Sequence, residues 1–182
     1  MLLAMAKGKK RNNTKDLISL ALYALMHKRE YDEISVKDIC ERAGVSRMSF
    51  YRYYSMKDDI FIAYCDERFE EFYNGIKSIK DLTINEFTLE MFRFIHRYRR
   101  QITVLFRAHR EFMLLDQLNS YTKYTISNLK SDYFTEQKNN PIYTYFMSGG
   151  LFNVIVYWIN NPHPSSPEKM NEMLYAITNR GL

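Results

Sequence analysis

Apolar residues recur every three or four positions along most of the chain, a spacing typical of amphipathic α-helices. The first such run begins near Thr14 and continues through Leu17, Leu20 and Leu25. Thr14 is the predicted N-cap, because a threonine hydroxyl can accept a hydrogen bond from an early backbone amide of the helix. The pattern fades between residues 27 and 30, where this first helix is expected to end.

The next part of the chain predicts two short helices and then a long one. Ser35 and Asp38 have the S-x-x-D spacing of a capping box, and Gly44 follows the apolar face of that helix. Glycine readily adopts the positive φ that ends many helices. Ser46 and Ser55 are the expected caps of the two helices that follow. Two short helices around a glycine turn indicate a helix-turn-helix unit.

Further helices are predicted in the second half of the chain, so the expected fold is all-α. Their predicted ranges are 84–98, 102–116, 118–138, 141–160 and 167–179. Few glycines and prolines support this fold, because the 182 residues contain only 6 Gly and 4 Pro. Hydrophobic residues make up 46% and charged residues 26%, which is typical of a globular domain.

Segment 141–160 differs from the other predicted helices because it is apolar on nearly every side. Such a helix must be buried on more than one face. Two interpretations follow: a central core helix, or a two-helix interface between subunits formed with segment 167–179. The predicted interface residues are Tyr145, Phe152, Ile155, Trp158, Met170 and Leu174.

The excess of positive over negative side chains lies in the first third of the chain. Residues 1–56 contain 11 Lys and Arg against 6 Asp and Glu, which accounts for the whole net charge of +5. A local basic excess indicates contact with a polyanion, or simply a solvated basic face.

Cysteine usage and apolar run lengths indicate a cytoplasmic protein without a membrane segment. Cys40 and Cys65 are isolated, which favours buried thiols in a reducing compartment over disulfides. The most apolar run, residues 151–159, is shorter than the ~20 residues of a membrane span. Either Met1 or Met5 could be the native start.

No motif in the sequence indicates an enzyme. Phosphate-binding glycine loops, the G-x-S-x-G motif and the H-E-x-x-H motif are absent. The four histidines are scattered without metal-ligand spacing. We therefore expect no catalytic residues, no metal and no cofactor.

The stretch "YDEISVKDICERAGVSRMSFYRYYSMKDDIF" resembles the DNA-binding domain of the TetR (tetracycline-repressor-like) family of transcriptional regulators. The C-terminal "FMSGGLFNVIVYWINNPHPSSPEKMNEML" resembles the last two helices of many members. The resemblance implies a dimeric, sequence-specific regulator, usually a repressor, that binds a near-palindromic operator on double-stranded DNA. It also implies an N-terminal helix-turn-helix domain (13–57) after a flexible basic arm (1–12), and a helical regulatory and dimerisation domain (58–182).

The predicted DNA-binding residues lie around the second short helix of the helix-turn-helix. A recognition helix presents its N-terminal residues to base edges in the major groove. Arg47 is the candidate for reading guanine, although a contact with phosphate alone is the alternative. Phe50 and Tyr54 are expected on the opposite, core-facing side. The full predicted set is Ser35, Ser46, Arg47, Met48, Ser49, Tyr51, Tyr53 and Lys57.

The effector is left open by the sequence. Arg107, Arg110, Met113 and Tyr145 are candidates for an effector pocket, with exposed or ion-paired surface residues as the alternative. The effector is either an unidentified small molecule or a protein partner. Met48 stands where the family often has a smaller residue, which concerns operator preference rather than fold.

Overall fold

The computed structural model describes residues 13–129 and 140–178, and every regular element in those ranges is helical. Within them lie nine α-helices and one short 3₁₀ helix, Tyr31–Glu33. The α-helices are Thr14–Met26 (α1), Val36–Ala43 (α2), Arg47–Tyr51 (α3), Asp58–Lys77 (α4), Ile84–Arg97 (α5), Arg99–Arg107 (α6), Glu111–Asn128 (α7), Pro141–Asn160 (α8) and Pro167–Thr178 (α9). The predicted all-α fold is confirmed for these residues. The predicted basic arm, residues 1–12, lies outside them.

The chain divides into two compact units, the first ending at Tyr64 and the second beginning at Cys65. Helix α4 contributes residues to both units, because it runs from Asp58 to Lys77. The predicted domain boundary after residue 57 coincides with the start of this helix.

The first unit is built around a small core of aromatic and aliphatic side chains. Phe61 of α4 lies between Tyr23 and Tyr31, with ring centroids 6.0 and 5.4 Å away. Phe50 of α3 is fully buried, and its ring centroid lies 5.7 Å from that of Tyr54. The other buried apolar residues of this unit are Ile18, Ala21, Leu22, Ile34, Ile39, Cys40 and Ile60. These contacts hold α2 and α3 in a defined orientation within the unit.

Two helix starts differ from the prediction. Asn13 rather than Thr14 caps α1: its side chain accepts the amide of Asp16 at 3.0 Å, and the Asp16 carboxylate accepts the Asn13 amide at 3.3 Å. Asparagine is among the best N-cap residues, so the shift by one residue is favourable. At α4, the carboxylate of Asp59 accepts two preceding backbone amides at 2.6 and 3.0 Å. Asp59, rather than Asp58 of the predicted S-x-x-D pair, therefore accepts the Ser55 amide.

The second unit has its main core around Trp158 of α8, which is 1% exposed. The edge of its ring meets Phe92 of α5, with ring centroids 5.5 Å apart. The guanidinium of Arg99 donates to the carbonyl oxygens of Ile159 and Asn161 at 2.9 and 3.0 Å. Because the last carbonyls of a helix lack partners within it, this arginine caps the C-terminal end of α8.

A buried polar cluster joins α9 to α5. Asn171 is buried, and its amide donates to the side-chain oxygen of Asn85 at 2.9 Å. Its own side-chain oxygen accepts the hydroxyl of Thr88. Since both ends of the amide are bonded, its burial leaves no polar group unsatisfied there.

The predicted helix 102–116 is interrupted in the structure. Helix α6 ends at Arg107 and α7 begins at Glu111, and His109 between them has a positive φ of 52°. Arg107 and His109 therefore lie at a helix end and in a turn, not inside one helix. Helix α7 ends at Asn128, and the rest of the predicted helix 118–138 from residue 130 onward lies outside the described residues.

Helix α8 is apolar on nearly every side, as the sequence predicted. With 20 residues it is, among the helices of the described ranges, the one long and apolar enough by length and composition to cross a membrane. The run 151–159, predicted to be too short for such a span, is part of this longer helix. A core helix passes the same test, and one side of α8 does face a core, because Phe152, Ile155 and Trp158 are buried.

Most of the predicted interface residues belong to the core of the second unit. Phe152, Ile155, Trp158 and Met170 are buried together there, and Leu174 packs partly buried against them. Of the six predicted interface residues, Tyr145 alone has an exposed side chain. Because α8 is apolar all round, its sequence could not indicate which side faces its own chain.

Candidate DNA-binding surface

Side-chain caps fix the starts of α2 and α3, and a glycine ends α2 at the turn between them. The amide of Asp38 donates to the Ser35 hydroxyl at 3.2 Å, and the Ser35 amide donates to the Asp38 carboxylate at 2.8 Å. Hydrogen bonds that the Ser35 hydroxyl and amide donate to the carboxylate lower the pKa of Asp38 to about 2. Gly44 ends α2 with φ of 66°, and the Ser46 hydroxyl accepts the Ser49 amide at 3.0 Å. The capping box and both caps predicted from the sequence are confirmed, and they build a helix-turn-helix.

Helix α3 has one buried and one exposed side. Phe50 faces the core, as predicted, whereas Met48 is 79% and Tyr51 57% exposed. Arg47 and Tyr53 are also exposed, at the start of α3 and just beyond its end. The structure thus brings predicted DNA-binding side chains together on the outer side of this helix.

The predicted serines act first as caps. Ser46 and Ser49 hydroxyls lie 2.9 Å apart, and the Ser35 hydroxyl donates to the Asp38 carboxylate at 2.6 Å. Ser35 and Ser46 are nevertheless exposed at the N-terminal ends of α2 and α3, where a ligand could reach them. Their contact with DNA stays a prediction.

Lys57 occupies a different environment from the other candidates. Its ammonium group donates to the carbonyl oxygens of Tyr31 and Ile34 at 2.6 and 2.9 Å. It also lies 4.1 Å from the centroid of the Tyr31 ring, close enough for a cation–π interaction. In this structure Lys57 therefore joins the start of α4 to the segment before α2.

Replacing Lys57 by Met tests which role dominates. The loss of charged hydrogen bonds should destabilise the first unit by about 1–2 kcal/mol, a value reduced because the side chain is only half-buried. Thermal unfolding measures this loss, with Lys37→Met as the matched control, because Lys37 is exposed. An unchanged melting temperature, together with a salt dependence of DNA binding reduced by about one phosphate contact, would assign Lys57 to DNA instead.

One candidate for the same surface was missed by the sequence reasoning. Lys15 of α1 is exposed, and its ammonium lies 5.7 Å from the centroid of the Tyr53 ring. The basic excess of the first third includes this residue, but its position next to a predicted DNA-binding tyrosine depends on how α1 packs. Lys15 adds a positive charge beside Tyr53.

The predicted effector residues lie on three different elements. Arg107 ends α6, Arg110 directly precedes α7 and Met113 is half-buried within it. Tyr145 lies on α8 and is exposed. Their grouping as one effector site stays a prediction.

Comparison with known protein families gives matches in both halves of the chain. Residues 18–64 match the profile described as "Bacterial regulatory proteins, tetR family". Residues 83–180 match the profile described as "Transcriptional regulator C-terminal region". The first match covers the helix-turn-helix and the second covers more than half of the chain.

Similar proteins agree with these matches. An uncharacterised HTH-type transcriptional regulator, YxbF of Bacillus subtilis, is 25% identical over an alignment 177 residues long that covers 88% of this chain and 43% of that protein. The chain thus spans less than half the length of this curated relative.

Solved structures share the fold. A Listeria innocua protein has a TM-score of 0.78 at 18% identity, covering 94% of this chain and 96% of that one. A TetR transcriptional regulator of Streptococcus agalactiae has a TM-score of 0.64 at 18% identity, covering 96% and 98%.

Proposed function

Because this chain belongs to the TetR family of bacterial regulatory proteins, which are helix-turn-helix transcriptional regulators and not enzymes, we propose that it is a dimeric repressor. In this proposal it binds a near-palindromic operator in the cytoplasm, and an effector bound in the second unit controls that binding. The observation that carries the proposal is the exposed outer side of α3, with Arg47 at its start and Phe50 anchored in the core.

The composition of this surface fits DNA. Arg47 is the first residue of α3, the position from which a recognition helix reaches base edges. A guanidinium can donate two parallel hydrogen bonds to O6 and N7 of guanine. Tyr51 and Tyr53 are exposed farther along, where their hydroxyls can donate to phosphates. The α3 surface thus offers one base-reading group and flanking backbone contacts.

Replacing Arg47 by Ala tests the DNA-reading role. Loss of a bidentate contact with guanine should cost about 1–3 kcal/mol on the preferred operator and relax the preference at one position of each half-site. The measurement is binding to genomic fragments selected by the wild-type protein and to single-base variants of them, at several salt concentrations.

Arg52→Ala is the matched control, because Arg52 is also exposed but follows the last residue of α3. It should weaken binding to all sequences alike, or leave it unchanged. If the wild-type protein binds all duplexes equally at physiological salt, the proposed function is incorrect. If Arg47→Ala lowers every affinity by the same factor, Arg47 contacts only phosphate.

The proposed dimer uses the outer face of α8 and α9. Exposed side chains of α8 recur at helical spacing as Ile142, Phe146, Asn153 and Tyr157. Exposed apolar surface of this extent on a regular stripe is typical of an interaction site. Gly149 and Gly150 lie on the same stripe, and an added Cβ there would meet no atom within 4 Å. The outer stripe of α8 is therefore open for close approach of a second copy.

Helix α9 extends the same kind of surface. Met173, Tyr175 and Ile177 are exposed near its end. An isologous interface places the same patch on both subunits, and two recognition helices then meet half-sites about one DNA turn apart, ~34 Å. This geometry is why a near-palindromic operator accompanies the proposed dimer.

A further inference from the structure

Helix α4 is the element through which the second unit can act on the DNA-binding unit. Among the described helices, it alone has residues on both sides of the boundary between Tyr64 and Cys65. A change in the second unit that displaces α4 also displaces the residues that this helix contributes to the first unit. The contacts of α4 with its neighbours within the second unit therefore determine how such a change is transmitted.

Tyr121 of α7 makes two different contacts with α4. The ring of Tyr121 stacks on that of Phe69, with centroids 4.2 Å apart and an interplanar angle of 4°. The hydroxyl of Tyr121 also donates to Oδ1 of Asp66 at 2.7 Å. One α7 side chain thus holds two α4 residues, which lie three positions apart on the same side of the helix. We refer to Asp66, Phe69 and Tyr121 as the Tyr121 joint.

A second aromatic residue of α7 lies beside the Tyr121 joint. The ring of Tyr124 approaches Phe69 and Tyr73 edge-on, with centroids 5.8 and 5.1 Å away. Its ring thus packs against α4, but no hydrogen bond from its hydroxyl to another described residue accompanies that packing. Tyr124 is therefore a matched control for the hydroxyl of Tyr121.

Helix α7 also contacts the helix proposed to form the dimer. The hydroxyl of Ser148, a fully buried residue of α8, donates to the side-chain oxygen of Asn119. Nearer the start of α7, the rings of Phe112 and Phe152 stack with centroids 6.2 Å apart. Helix α7 thus contacts α8 through these residues and α4 through the Tyr121 joint.

We propose that Tyr121 is a positioning residue that couples α7 to α4, so that effector binding or dimer rearrangement alters operator binding through this joint. The inference rests on the proposed function, because it assigns a route for the regulation of that same DNA-binding surface. The stacked rings limit tilting of one helix against the other, and the hydrogen bond to Asp66 fixes their relative position along the helix axes. Breaking the hydrogen bond should loosen α4 without removing the rings from the core.

Cys65 is a probe for this loosening. It directly precedes Asp66, and burial raises the pKa of its thiol to about 12. A half-buried, protonated thiol such as that of Cys65 reacts slowly with labelling reagents, because the thiolate is the reactive form. Burial and the Asp66 acceptor also raise the pKa of Tyr121, so its hydroxyl stays a donor at neutral pH.

The experiment measures the rate of Cys65 labelling by a small maleimide in a Cys40→Ser background. Tyr121→Phe keeps the ring but removes the hydrogen bond, and it should speed labelling roughly three- to tenfold. Tyr124→Phe should leave the rate unchanged. Asp66→Ala should label faster still, because the Asp66 carboxylate also raises the pKa of the Cys65 thiol, so the comparison of Tyr121→Phe with Tyr124→Phe decides the test.

Operator binding separates a coupling role from a merely structural one. Binding of a genomic fragment selected by the wild-type protein should change the Cys65 labelling rate in wild type and in Tyr124→Phe, but not in Tyr121→Phe. The proposed role of Tyr121 would be wrong if all free variants were labelled at equal rates. It would also be wrong if DNA still changed the Cys65 labelling rate in Tyr121→Phe. A wild-type protein that selects no fragment would instead overturn the proposed function, and the rates of the free variants would still decide whether Tyr121 holds α4.

Discussion

Replacing Phe146 by Glu should convert the proposed dimer into monomers and abolish tight operator binding. Phe146 is 62% exposed on the outer stripe of α8, so the change should leave the fold of the chain intact. In a two-fold interface the new carboxylates come close to each other in an apolar environment, which is strongly unfavourable. Two linked DNA-binding units bind an operator ~10²–10⁴-fold more tightly than one unit, so the affinity of the variant for DNA should fall by that factor.

Sedimentation velocity and operator titration measure the two effects of the Phe146 change together. Ile79→Glu is the control for added charge, because Ile79 is exposed in the turn after α4 and belongs to neither α8 nor α9. It should remain a dimer with wild-type affinity. A Phe146→Glu protein that still sediments as a dimer would show that the subunits associate through another surface.

Replacing Trp158 by Ala should remove about 3–5 kcal/mol of stability, a large part of what a domain usually has. Trp158 is 1% exposed, its ring meets Phe92 edge-on, and its indole nitrogen donates to the Ser165 carbonyl at 2.9 Å. The substitution leaves a cavity in the main core and an unsatisfied carbonyl in the loop before α9. Urea unfolding followed by circular dichroism measures the change, because the chain has only 1 Trp and the variant loses that fluorophore.

Phe112→Ala controls for the loss of an aromatic ring. Phe112 is 69% exposed, so its truncation should cost about 1 kcal/mol or less. All three proteins are compared at one concentration, because association contributes to the apparent stability of a dimer. If Trp158→Ala is as stable as Phe112→Ala, the indole does not stabilise the main core in the way that its burial indicates.

Local signals predicted the DNA-binding unit well. Ser35, Asp38, Gly44 and Ser46 act over one to four residues, so their hydrogen bonds and backbone angles are properties of the nearby sequence. The division of α3 into a buried and an exposed side follows equally from helical periodicity, and Phe50 lies where it predicts.

The second unit was predicted less well. Its sequence has so many apolar positions that helical periodicity does not distinguish the buried side of a helix from the exposed side. The break at His109 interrupts a continuous apolar pattern, and the residue with positive φ there is a histidine rather than the glycine that would have marked a turn. The buried sides of α8 and α9 could likewise not be told from their exposed sides. Phe152 and Phe146 are chemically identical, and only their neighbours separate a core residue from a proposed interface residue.

The sequence by itself determined the all-α class, the helix-turn-helix and the family, because these depend on short-range spacing and on a specific motif. Only the tertiary structure decided that Lys57 bonds to two carbonyls, that Arg99 caps α8 and that Tyr121 holds α4. The partners in these three contacts are 23, 60 and 55 residues apart in the chain. Helical periodicity carries no information over such separations, whereas packing brings the groups within hydrogen-bonding distance.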